Sequence, residues 1–119
     1  MPFDDVPSRL EDILKATQEM QNFVSGKSFD EYRSDTMLRF AIERCVEIIS
    51  EASRHIPADM KADHSEVPWQ NVADIGNILR HAYRAIDPRI MWKVATQDVG
   101  PLRRAVEQML VQLGPQSNA

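Results

Sequence analysis

Cysteine is almost missing from this 119-residue chain: Cys45 stands alone, which excludes an intramolecular disulfide and, outside any CxxC or CxxH cluster, a zinc site of the multi-cysteine kind. It falls at an apolar helical position and reads as a small buried hydrophobe. Long apolar runs are missing too. Nothing approaches the roughly 18 residues of a membrane span, and the opening "MPFDDVPSRLEDIL" lacks the basic-then-apolar order of a signal peptide, so the cytoplasm is the expected location. Strand-like alternation, internal repeats and low-complexity stretches are absent. Excess positive charge is absent as well: 14 Lys and Arg against 18 Asp and Glu give a net charge of −4. That argues against the broad basic surface of a DNA-binding protein. A local basic pocket remains open to Arg80, Arg84 and Arg89, or to Arg103 and Arg104.

What is present is an ordinary globular composition, 43% hydrophobic and 27% charged, at a length that suits one hydrophobic core. We read a single helical domain over 1–114 and a flexible tail over 115–119. Ser8 and Glu11 have capping-box spacing, and Leu10, Ile13, Leu14, Thr17, Met20 and Val24 follow at helical intervals. This predicts a helix from Arg9 to Ser25, closed by a left-handed cap at Gly26. Ser28 and Glu31 repeat the capping-box spacing ahead of a short helix. From Thr36 to His55 the period is strongest, with Leu38, Ala41, Ile42, Cys45, Ile49, Ala52 and Ile56 on one stripe. Arg39, Glu43, Glu47, Ser50 and Arg54 are expected to face away from it.

Residues 57–68, bounded by prolines and without apolar period, read as an exposed loop. His64 lies there with no second ligand at metal-binding spacing, so no metal site is expected. Pro68 suits the first turn of a helix running to about Arg84. Asp87-Pro88 starts another, which reaches Leu113 and must kink or break at Gly100-Pro101. The fold class is all-α, an antiparallel bundle of four to five helices.

The stretch "NILRHAY", Asn77 to Tyr83, carries the chemistry. At about 100° per residue, with His81 at zero, Val72, Ile75, Ile78, Leu79, Ala82 and Ile86 form an apolar stripe. Asp74, Asn77, His81 and Arg84 form a polar column, with Arg80 at its edge. Such a column can orient an imidazole and set a cation beside it, as acid-base chemistry on a phosphodiester requires; it is equally the pattern of a solvated helix face. Tyr83 lies about 200° from His81, so the two meet at one site only if the helix loosens or a second subunit supplies one of them. Gly76, costly inside a helix, marks a close approach by a backbone, a large side chain or a ligand.

"GNILRHAY", with "RLEDILKAT", "AIERCVEIISEASRHIP" and "VPW" before it and "AIDPRIMWKVATQDVGPLRRAVEQML" after it, resembles the HepT-like proteins of the HEPN superfamily over nearly the whole chain. The resemblance implies a dimeric, all-α toxin component of a toxin-antitoxin pair that cleaves RNA without metal or cofactor. It also implies a minimal nucleotidyltransferase as antitoxin partner, which adds AMP to the motif tyrosine. Carried over, His81 is the motif histidine, Tyr83 the motif tyrosine, and Asn77 the polar residue four before the histidine. The family's motif arginine falls on Gly76; Arg84 or Arg80 is the candidate replacement. Two further readings stand beside the ribonuclease: an inert module that binds the nucleotidyltransferase, and a nucleotide-binding cleft between subunits.

Overall fold

The computed structural model describes residues 5–81 and 86–115. Every regular element among them is helical. α1 (Val6–Val24), α3 (Thr36–Ser53) and α5 (Trp69–His81) are long. The fourth long segment is composite: α6 (Pro88–Lys93), a π-helical turn (Val94–Asp98) and α7 (Val99–Leu113). Short α2 (Phe29–Ser34) and α4 (Ala58–Ala62) fill the connections. α1 packs on α3 and α7, and α3 packs on α5, which is the expected helical bundle. None of the helices is long and apolar enough to cross a membrane.

The elements form where local chemistry dictates, with instructive exceptions. At α2 both capping-box bonds exist: Ser28 Oγ accepts from Glu31 N at 3.1 Å, and Ser28 N donates to Glu31 at 2.8 Å. Those two bonds hold the Glu31 carboxyl below its usual range. Asp35 caps α3 through Leu38 N at 3.0 Å. Gly26 takes the left-handed φ of +73° just past α1. The capping box predicted at Ser8 and Glu11 does not form. α1 starts earlier, at Val6, because Pro7 is preorganised for a first turn and Asp5 is already extended before it.

The expected stripe of α3 is in the core. Ile42 is fully buried and Cys45, Ile49, Ala52 and Ile56 nearly so, joined by Leu10, Ile13 and Met20 of α1 and Val106 and Met109 of α7. Burial also pushes the Cys45 thiol up. Two of the loop expectations need correction. Residues 57–68 contain α4, and His64 is buried rather than exposed, because the Trp69 indole donates to its carbonyl at 3.0 Å and draws the loop inward. At Pro101 the chain stays helical, but a π-helical turn interrupts the α-helix just before it. Val99 N donates to Val94 O across the π turn, so the extra residue widens the helix where the proline ring would strike the preceding carbonyls. The flexible tail expected over 115–119 lies, but for residue 115, outside the described residues.

Candidate active site

α5 meets α3 at a single hydroxyl. Ser50 Oγ donates to the Ala73 carbonyl at 2.8 Å and accepts from Gly76 N at 3.1 Å. Arg54 Nη2 donates to the same Ala73 carbonyl at 2.8 Å. Ser50 was expected to face solvent, yet it is 1% exposed. Its place in the seam depends on a helix 23 to 26 residues further along the chain, which the periodicity of α3 cannot reveal.

This contact explains Gly76. A Cβ at position 76 would lie 2.5 Å from Ser50 Oγ and 2.8 Å from Ser50 Cβ, closer than any side chain tolerates. The close approach inferred from the sequence is thus Ser50. The same contact rotates α5 relative to the expected stripe. Gly76 and Leu79 are buried and Val72 and Ile75 half-buried, whereas Ile78 is 50% exposed. Small residues at 73 and 76 let α3 come close on that side, and the Ile78 edge is left uncovered.

Arg80 follows from this rotation. One turn after Gly76 it points back along the helix, as helical side chains do, and its Nη1 lies 3.7 Å from the empty Cβ position of residue 76. It has no hydrogen-bond partner among the described residues. Glu51 of α3 is close enough for Arg80 to act on it. The Glu51 carboxyl is held below its usual range first by its bond to the His55 ring at 3.2 Å, and to a smaller degree by His55, Arg54 and Arg80 charge.

The other candidate cations are engaged or lie elsewhere. Arg89 is tied to Asp87 at 2.8 Å, which lowers the aspartate's pKa through the Arg89 side chain and backbone. Arg103 donates to Gln21 at 2.6 Å. Asn77 and His81 are exposed, as expected. Asp74, however, accepts from Gln70 at 2.9 Å, so it is not part of a bonded column with His81. Arg84 and Tyr83 lie outside the described residues. Among the described residues no group of three or more acidic, histidine or cysteine side chains could hold a metal ion.

The exposed face of α5 thus carries an outward histidine next to an arginine laid over a glycine. The Ribonuclease HepT-like profile matches residues 13–109. The chain belongs to the HepT-like ribonuclease family. It is 37% identical over 84% of its length to the "Probable ribonuclease HepT" of Thermococcus cleftensis, covering 91% of that protein. It is 36% identical over 87% of its length to a Methanocaldococcus jannaschii protein also named for an RNase, covering 94% of it. No solved structure matches the chain. The structure places the sequence candidates Asn77, Arg80 and His81 on the exposed side of α5, and adds Ser50 and Arg54, which the sequence reading had set facing away from the core, at its seam with α3. The glycine in mid-helix was the one signal that pointed to them.

The Ser50–Gly76 packing makes a double-mutant cycle informative. Gly76→Ala should destabilise the protein by about 1–3 kcal/mol in denaturant unfolding, although alanine is the better helix former. In the Ser50→Gly background the same substitution should cost less by at least about 1 kcal/mol.

Proposed function

We propose that this chain is the toxin of a toxin-antitoxin pair, a metal-independent endoribonuclease with His81 as acid-base. The observation that carries the reading is the pairing of exposed His81 with the Arg80 guanidinium seated over Gly76, in a chain of the HepT-like family. In the reaction, the His81 imidazole takes the proton of a ribose 2′-hydroxyl. The freed oxygen attacks the adjacent phosphorus, the bond to the 5′ oxygen breaks, and that oxygen leaves with the proton the imidazole gives back. The products are a 2′,3′-cyclic phosphate and a 5′-hydroxyl end. Arg80 opposes the charge that grows on the phosphate oxygens, with Arg84 as a second cation and Asn77 positioning the phosphate.

The working unit in this reading is a homodimer in the cytoplasm, each copy one domain over 1–114. Exposed apolar side chains support a second copy: Ile78 of α5 is 50% exposed, and Phe40 and Met37 of α3 are 63% and 83% exposed. Tyr83 is the AMP acceptor for a minimal nucleotidyltransferase, the antitoxin. The second reading, an inert HepT-like module that only binds that partner, is favoured by Gly76 in place of the motif arginine.

Two measurements separate these readings. Purified protein should degrade single-stranded RNA, and His81→Ala should lower the rate by about 100-fold or more; equal rates would leave the inert module. Co-expression with the nucleotidyltransferase should raise the intact mass by one or more AMP units mapped to Tyr83, and an unmodified Tyr83 under active partner would remove the antitoxin assignment.

A further inference from the structure

A second cation lies on the seam where Ser50 meets Gly76. Arg54 of α3 rests on α5 through one bond, from Nη2 to the Ala73 carbonyl at 2.8 Å, and its side chain is exposed. A guanidinium carries several further N–H donors, and those of Arg54 have no protein acceptor among the described residues. Arg80 is exposed as well, with Nη1 3.7 Å from the Cβ position of residue 76. Ala73 and Gly76 belong to one turn of α5, so the two guanidiniums rest on neighbouring points of the helix surface, within about one helical pitch, roughly 5.4 Å, along its axis.

A carboxylate stands close by, yet it bonds to neither cation. Glu51 precedes Arg54 by one turn of α3, and the charges of both arginines help to hold its carboxyl below the usual range. The larger cause is His55, whose Nε2 lies 3.2 Å from Glu51 Oε2. An ionised carboxylate only accepts, so the His55 ring donates in this pair. Glu51 is thereby engaged along its own helix. Two permanent cations are left side by side on an exposed turn with no anion bonded to either, an arrangement that a bound anion relieves.

The forked donors of arginine match paired phosphate oxygens, and two forks within one turn match two successive phosphates of a single strand better than one isolated anion. The order along α5 is Ala73, Gly76, Arg80, His81. A strand laid on this face meets Arg54 first, then the Arg80 guanidinium, then the His81 ring, over eight residues or about 12 Å. We propose that Arg54 binds the phosphate next to the one that is cut, so that the α3–α5 seam carries the RNA backbone past Arg80 and His81. Arg54 contributes to binding and not to bond breaking, and the Glu51–His55 pair sets how freely it binds. The proposal rests on the ribonuclease reading for its setting and adds the footprint of the strand.

The test counts phosphates. UMP, UpU and UpUpU, 2′-O-methylated to remove the attacking hydroxyl, are titrated into the full-length protein by calorimetry at several salt concentrations. The second phosphate of UpUpU should tighten binding about 10-fold over UpU. Arg54→Ala should erase that step and lower the salt dependence of UpUpU binding by about 0.7 in log–log slope, the loss of one phosphate contact. Glu51→Gln should tighten UpUpU binding, whereas Glu107→Gln, which removes the same charge from α7, should not.

Arg54→Ala also loses its bond to Ala73, so its unfolding midpoint is measured beside the wild type; tightening by Glu51→Gln is an effect that no loss of fold produces. A step that survives Arg54→Ala, or a Glu51→Gln variant that binds no tighter, overturns the proposal. UMP binding as tightly as UpUpU assigns the arginines to a free nucleotide phosphate and overturns the strand placement. A two-phosphate step that depends on Arg54, in a protein that cleaves no RNA, supports the site and removes only the ribonuclease reading.

Discussion

One serine hydroxyl sets the geometry of the site. Ser50 Oγ bonds both the Ala73 carbonyl and the Gly76 amide, which fixes the distance between α3 and α5 and the rotation of α5 about its own axis. Everything distinctive about the candidate site follows from that rotation. Position 76 has no room for a side chain, Leu79 turns into the core, His81 turns outward, and Arg80 is left flanking the seam with its guanidinium over the glycine. A buried hydroxyl with both its donor and its acceptor role filled is favourable; either role unfilled is costly, so the arrangement tolerates little change.

The space over Gly76 is used twice: by Ser50 from the neighbouring helix and by Arg80 from one turn later. A net charge of −4 is no obstacle to acting on RNA if cations are held locally. Arg54, bonded to the α5 backbone at Ala73, and Arg80, beside Gly76, concentrate positive charge on one seam of an otherwise acidic chain.

How much of this was legible depends on where the determining contact lies. The α3 stripe, the Ser28 capping box and the Gly26 cap rest on residues within a few positions of one another, and local pattern finds them. The membership of the HepT-like family was legible too, in the order and spacing of segments along nearly the whole chain. The burial of Ser50 and His64 was not, since each is decided by a partner elsewhere: Ala73 and Gly76 for the serine, the Trp69 indole for the loop that carries the histidine. Ile78 was placed in the core by a periodicity that was right in period and wrong in phase, because two small residues let α3 approach on the other side. The π turn before Pro101 belongs to the same class. A proline announces a disturbance, but the choice between a break and a widened turn is made by how Val99 and Leu102 pack in the core.

The central claim is that Arg80, displaced over Gly76, supplies the cation that the motif arginine would otherwise provide. Its most direct test is the RNA cleavage rate of Arg80→Ala beside that of the unaltered protein, with helical content and unfolding midpoint measured on both. A group that stabilises charge only in the transition state contributes about 100- to 1000-fold; a loss of that order in a fully folded variant is the predicted result. Undiminished cleavage by folded Arg80→Ala would contradict the account.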